Sequence, residues 1–410
     1  MRIPLLLVAL AVVTTAQAQI HLPSLPALPL PLPSVPQTLN QAEPKTFEAL
    51  SDSRQREIKR LIQSNRRLIE ADPNGEPIVR SEILATGMSG DAIAQAQARG
   101  FVIDRKQAIA SANIQLLVLK APPGIATKKA LRQLREADPT GLYDFNHIYT
   151  ESAALPGDDS RTEPTAVAPQ PSLPHLRVGL LDTGVDTTHP VFLHSEVHAF
   201  GCGDAQVPSA HGTAVASLLV AHASADLYAA DVYCGIPTGG SVDAIVGALD
   251  WMVEERVAVI NVSLVGPKNI MLEQAVRSLI ERGHVIVAAV GNDGPAAPPL
   301  YPAAYADVVG VTAVDAHRRV LIEAERGPQV MFAALGADLK AASMGHGYAA
   351  VRGTSFAAPT VSGLLAVSLA APDRQAAVAA IDALTKQAIH LGGAGKDLTY
   401  GFGLVGSEDR

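Results

Sequence analysis

The chain has 410 residues, of which 48% are hydrophobic and only 4% aromatic, enough aliphatic residues for an ample core. Its 32 Lys and Arg against 40 Asp and Glu give a formal net charge of −8. That acidity, without a basic surface pattern interleaved with aromatics, excludes nucleic acid as the natural partner.

At the amino terminus Arg2 precedes an apolar run from Pro4 to Val13, followed by Ala16-Gln17-Ala18. This is the pattern of a secretory signal peptide over residues 1–18, with a small-x-small cleavage signature. The run is about half of the roughly twenty residues that span a bilayer, and no later segment is long and apolar enough to do so. The mature protein is therefore expected to be soluble and exported, either secreted or periplasmic, with no stable membrane insertion. Residues 19–44 are proline-rich and predict an extended tether. Over residues 45–75 the pattern turns helical and charged, with Leu61, Ile62, Leu68 and Ile69 set against Arg54, Arg56, Arg60, Arg66 and Arg67. Such a basic run reads as a solvated helix face.

Residues 76–150 predict a small separate domain. Strand Pro77 to Leu84, helix Asp91 to Ala98, strands near Phe101 to Ile103 and Ile114 to Leu119, helix Thr127 to Ala137 and strand Leu142 to Tyr149 follow one another. That β-α-β-β-α-β order is the α+β ferredoxin-like pattern. Residues 151–174, rich in Ser, Asp, Pro and Ala, read as a linker. From Leu176 onward strand and helix patterns alternate, which predicts an α/β domain over 175–410 with a mostly parallel sheet covered on both faces by helices.

Three peptides in this last domain carry chemistry: Leu-Leu-Asp182-Thr-Gly-Val-Asp, His211-Gly-Thr-Ala-Val-Ala and Gly-Thr-Ser355-Phe-Ala-Ala-Pro. A serine hydroxyl is a poor nucleophile at neutral pH unless an imidazole takes its proton, and the imidazole needs a carboxylate to hold its tautomer and balance its charge. Ser355, His211 and Asp182 supply those groups. Asp182 ends an apolar run, so its carboxylate emerges at the carboxyl end of a buried strand, where open α/β sheets form their sites. His211 and Ser355 each open a helical segment, and the helix start at Ser355 favours a developing oxyanion.

The order Asp, His, Ser is the subtilisin order, and the chain resembles the subtilisin-like serine proteases, or subtilases. Two further peptides resemble the family: Val287-Ala-Ala-Val-Gly-Asn292-Asp-Gly-Pro and Asp397-Leu-Thr-Tyr-Gly-Phe-Gly403. The resemblance implies a serine endopeptidase that acts on polypeptides through an acyl-enzyme and needs no cofactor. It implies that Asn292 completes the oxyanion hole. Sedolisins carry an aspartate there with a different acid and base, so Asn292 and His211 argue against that group. Substrate is expected to add a strand to Ser263, Leu264, Val265 and Gly266, with Ala288, Ala289 and Gly291 as the wall of the main pocket. Val265 stands where many relatives have glycine and should crowd the bound chain, which suggests a medium-sized apolar residue before the cut.

Before such a domain, the 76–150 unit resembles the family's propeptide, an inhibitor and folding chaperone that is the enzyme's own partner. Residues 1–150 hold 17 Lys and Arg against 13 Asp and Glu, and residues 151–410 hold 15 against 27. The opposite signs favour docking, and the linker after Tyr149 is the expected place of self-cleavage. The oxidising compartment favours a disulfide between Cys202 and Cys234. Ala221 to Asp226 runs straight from helix to strand, omitting the loop that holds a tight calcium ion in many subtilases, and His194 and His198 read as surface residues, so no metal is called for. Asn261-Val-Ser263 formally matches a glycosylation acceptor, but on a strand expected to be buried. Two other readings use the same residues: an inactive binding protein of the same fold, and an esterase.

Overall fold

Short runs of Val, Ile, Leu and Ala with little polar alternation suit strands buried on both faces, and six of them, with one partly exposed edge strand, form the seven-stranded central sheet. A computed structural model describes residues 44–152, 176–204, 207–221, 225–393 and 395–406. The expected signal peptide, most of the tether and the linker beyond Ser152 lie outside the described residues.

The N-terminal part starts with helix α1 (Pro44–Ser64), followed by strands β1 (Ile69–Ala71) and β2 (Pro77–Thr86), α2 (Gly90–Ala98), β3 (Val102–Ile109), β4 (Ile114–Lys120), α3 (Thr127–Ala137) and β5 (Leu142–His147). Its antiparallel sheet runs β1-β2-β4-β3, with β5 also paired to β2. The helical reading of 45–75 needs correction: Ile69 leaves the helix and pairs with Val79 on β2. The helix stops because Asn65 turns its side-chain amide onto the Leu61 carbonyl at 2.9 Å, while its own carbonyl accepts the Leu68 and Ile69 N–H groups. The expected linker 151–174 starts on a strand rather than free of one: β6 (Thr150–Glu151) pairs antiparallel with the C-terminal part.

The C-terminal part contains β7 (Leu176–Asp182), β8 (Val197–Phe200), α4 (Ala210–Ala221), β9 (Ala225–Asp231), α5 (Val242–Glu254), β10 (Val259–Val262), β11 (Leu264–Val265), α6 (Ile270–Glu281), β12 (Val285–Ala289), β13 (Val309–Val314), β14 (Val330–Leu335), β15 (Leu339–Ser343), β16 (Gly347–Val351), α7 (Thr354–Val367) and α8 (Arg374–Gln387). Its sheet order is β14-β13-β12-β10-β7-β9-β8, parallel throughout. One face packs against α4 and α7 through residues such as Val215, Leu219, Phe356 and Val361. The other packs against α5 and α6 through Ile245, Leu249, Leu272 and Val276. This is the expected α/β sheet with helices on both faces.

The two parts share apolar contacts, since Leu84, Leu116 and Val118 of the small sheet join the cluster that holds α5 and α6. Polar contacts fix the register of that junction. Asp250 of α5 accepts the Ala110 and Ser111 N–H groups at 3.1 and 2.7 Å, and Asn269 donates to the Phe145 carbonyl at 2.9 Å. Arg105 bonds Glu82 and Asp243 at 2.8 Å each, bridging the parts. Cys202 and Cys234, with Cα atoms 5.2 Å apart, are joined as a disulfide that brackets α4.

Candidate active site

Asp182 is the last residue of β7, and His211 and Ser355 are the second residues of α4 and α7. All three are buried, at 0, 1 and 0% exposure. The Asp182 Oδ1 lies 2.7 Å from His211 Nδ1. Asp182 is held in turn by the Thr183 N–H at 2.7 Å, and Thr183 accepts the Gly212 N–H at 2.9 Å, which ties the aspartate strand to the histidine helix. Burial pulls the His211 pKa down, but the Asp182 charge and hydrogen bond, helped by Glu151, outweigh it and leave the imidazole above its ordinary value of 6.5. His211 Nε2 is buried and has no hydrogen-bond partner among the described residues.

Ser355 stands where the chain turns sharply into α7. Gly353, with φ of 137°, takes a conformation that side chains disfavour, and this starts the helix directly before the serine. Pro359 lies inside α7 and has no N–H for the carbonyl four residues earlier, that of Ser355. Ser263 answers it by donating its hydroxyl to the Ser355 carbonyl at 3.1 Å. Ser263 is itself held by Asn261 at 2.9 Å, and Asn261 accepts from Ser362 one helical turn beyond Pro359 at 3.0 Å. Asn261 is thus fully buried and committed to this network. The Ser355 hydroxyl does not meet His211. It bonds the hydroxyl of Ser152 and reaches the Ser263 carbonyl at 3.4 Å.

Asn292 lies beside this serine. Its Oδ1 accepts the Thr354 N–H at 3.1 Å, which aims the amide, and its Nδ2 is buried with no partner among the described residues. Ala288 and Ala289 end β12 with no exposure, and Gly291 has φ of 117°. Any Cβ at Gly291 would sit 2.5 Å from the Glu325 carboxyl and 3.1 Å from Leu300, so both crowd the wall from behind.

A segment of the chain lies in the cleft. Thr150 pairs with Val265 and Glu151 with Leu264, and the Ser152 N–H reaches the Ser263 carbonyl at 3.4 Å. Val265 and the added strand coexist, because a strand's side chains stand perpendicular to its hydrogen-bonding edge. Tyr149 is wholly buried on Gly266, where a Cβ would lie 2.7 Å from its ring. Its hydroxyl donates to the Pro267 carbonyl at 2.5 Å, its N–H donates to the Gly240 carbonyl at 2.8 Å, and its own carbonyl accepts the Tyr233 hydroxyl at 2.8 Å.

The description that matches the chain is the subtilase family, over residues 175–403. The chain belongs to the subtilase family. It is 32% identical to M-protease of Shouchella clausii (strain KSM-K16) over 289 residues, 67% of this chain and 74% of that protein. It is 27% identical to subtilisin E of Bacillus subtilis (strain 168) over 315 residues, 71% and 80% of the two chains. Among solved structures, fervidolysin from Fervidobacterium pennivorans, a keratinolytic enzyme related to subtilisin, aligns with 82% of this chain and 61% of its own, at a TM-score of 0.66. At 20% identity that likeness speaks for the fold. The protein is a subtilisin-like serine endopeptidase.

Sequence reasoning missed four residues of this subtilase cleft. Ser152 and Tyr149 carry no motif, and Ser263 and Gly266, which they meet, lie more than a hundred positions away. Arg54, assigned to a solvated helix face, is only 12% exposed in its side chain and lies 3.3 Å from Asp293. Glu325 is a fully buried carboxyl that no pattern marks. His198, for its part, lies 3.7 Å from Glu196 and near Asp226.

Proposed function

We propose that Asp182, His211 and Ser355 are the catalytic triad, with Asn292 as oxyanion donor, and that the enzyme is made as an exported zymogen whose residues 44–152 are the inhibitory N-terminal domain. The observation that carries this reading is the strand Thr150–Ser152 on the β11 edge, with Ser152 against the Ser355 hydroxyl. An extended chain that adds to an exposed edge is how a protease holds a peptide for cutting. The bond after Ser152 is then the one processed, and the segment stays as an inhibitor until it leaves.

In the reaction the Ser355 hydroxyl rotates from Ser152 to His211 Nε2, which takes its proton as Oγ attacks the scissile carbonyl carbon. Asp182 holds the Nδ1–H and balances the imidazolium. The negative charge that forms on the carbonyl oxygen meets the Asn292 Nδ2–H groups and the first-turn N–H groups of α7. The C–N bond breaks as His211 returns the proton to the leaving amine, and water then cleaves the acyl-enzyme by the same path. Retention of the propeptide-like domain is supported by its opposite net charge, and export by the signal-like terminus and the Cys202–Cys234 pair.

The test is processing itself. Wild type is expected to yield a chain that begins at Ala153, and Ser355→Ala to stay intact with the same fold. Cleavage of Ser355→Ala at that bond in a protease-free preparation would refute the assignment.

A further inference from the structure

The loop that carries Asn292 is gripped from two sides. From α7, Thr354 donates its N–H to Asn292 Oδ1 at 3.1 Å and accepts the Gly291 N–H on its hydroxyl at 3.3 Å. From behind come residues 323–325: the Glu325 N–H donates to the Gly291 carbonyl at 3.1 Å, and the Glu323 carbonyl accepts the Gly294 N–H at 2.8 Å. The first grip aims the Asn292 amide. The second sets how far the loop stands back from the cleft, and it includes a buried acid. The Glu325 side chain has no exposure, and its Oε1 occupies the space that a Cβ at residue 291 would enter, 2.5 Å away. Gly291, held at φ of 117°, therefore rests directly on the carboxyl.

The surroundings of that carboxyl suit an acid and not a carboxylate. Oε1 has no hydrogen-bond partner among the described residues, and Oε2 accepts only the Leu300 N–H, at 3.4 Å. A charge buried with so little compensation takes up a proton instead. The charged groups that act on Glu325 are Asp293, on the oxyanion loop, and Arg54, on α1, while Glu323 on its own segment is paired with Arg352 at 2.7 and 3.0 Å. Burial first, and then the Asp293 charge, raise Glu325 to about 9, against the Leu300 N–H and Arg54. Departure of residues 44–152 removes Arg54, so of the two charges only the one that holds the proton remains. The uncharged state matters to the chemistry. Negative charge collects on the scissile carbonyl oxygen beside Asn292, and a carboxylate behind Gly291 would repel it across a dry wall where charges are weakly screened.

We propose that Glu325 is a positioning residue for the oxyanion donor: as an uncharged acid it supports Gly291, and through Gly291 it holds Asn292 where the transition state needs a hydrogen bond. This rests on the serine-endopeptidase reading above and adds to it a group that touches neither substrate nor triad. Two consequences separate it from a residue that only fills space. Loss of the support acts on the transition state and so on kcat, since the bound peptide is held by the β11 edge and not by Gly291. Ionisation of Glu325 acts on the same step, so the rate falls as the proton leaves.

The experiment uses enzyme matured from the full chain, with active sites counted by a fluorophosphonate, and follows kcat and KM on a capped, uncharged fluorogenic peptide from neutral to strongly alkaline pH. Wild-type kcat is expected to fall at least tenfold through an alkaline limb at pH 9 or above, with KM changed less than threefold. At neutral pH Glu325→Ala should lower kcat tenfold or more. Glu325→Gln, which keeps the shape and cannot ionise, should recover most of that loss and remove the limb. Asp293→Asn, which takes away the charge that holds the proton, should move the limb to lower pH. A wild-type kcat without an alkaline limb, a limb that persists in Glu325→Gln or stays in place in Asp293→Asn, or a Gln variant as slow as the Ala variant overturns the proposal. Should Glu325→Ala fail to fold, the Glu325→Gln profile still decides. With full labelling any of these results leaves the protease reading intact, whereas no labelling and no turnover would sink both.

Discussion

Tyr149→Ala tests whether the segment in the cleft is held as an inhibitor. The Tyr149 side chain is wholly buried, with its ring on Gly266 and its hydroxyl on the Pro267 carbonyl. Truncating a buried aromatic to alanine costs about 3–5 kcal/mol, of which one hydrogen bond accounts for about 1 kcal/mol. The contacts of its backbone with Gly240 and Tyr233 survive the change. At about 1.4 kcal/mol per factor of ten, the cleaved N-terminal domain should leave at least about a hundredfold faster. The assay dilutes freshly processed enzyme into a fluorogenic peptide and follows the onset of turnover. Tyr149→Phe, which keeps the ring, should speed release by about tenfold or less. The reasoning is refuted if Tyr149→Ala changes the onset by less than tenfold, or if Tyr149→Phe matches it.

Asn292→Ala, which removes the unpartnered amide donor, should lower kcat by about 10²–10³ with little change in KM, the size seen on removing the analogous donor of a subtilisin; steady-state kinetics check it, and a fall in kcat of less than tenfold contradicts the role. His211 must be neutral to accept a proton, and Asp182 raises its pKa against the effect of burial, so the acid limb of kcat/KM for the mature enzyme should lie above 6.5. A limb below that value, in a pH profile on an uncharged substrate, counts against the pairing. Replacing both Cys202 and Cys234 by alanine opens a loop with a sequence separation of 32. The chain-entropy model assigns such a closure about 3.7 kcal/mol, to be read as a lowered denaturation midpoint, and an unchanged midpoint would show that the bond contributes nothing.

The proposed site residues could be picked from the sequence where the chemistry leaves little choice. Asp182, His211, Ser355 and Asn292 stand in peptides whose neighbours have backbone reasons to be there, such as Gly353 before α7. The parallel strands were legible because a run like Val285–Ala289, buried at every position, has no alternative to the sheet interior. Strand β3 was read too short, since most of it is exposed and its polar residues carry no apolar run. Arg54 illustrates the harder limit. A charged helix looks solvated until the surface opposite it is known, and Glu76 and Asp293 lie 22 and 239 positions away in sequence. Ser152 and Glu325 fail for the same reason: pairing across the fold, rather than local pattern, gives them their role.

The central claim is that Ser355, freed from Ser152, becomes the nucleophile. Matured enzyme treated with a fluorophosphonate and mapped by peptide mass should carry one adduct, on Ser355, with loss of peptidase activity in proportion, and His211→Ala should label far more slowly. An adduct on another serine, or full peptidase activity with Ser355 labelled, would contradict the account.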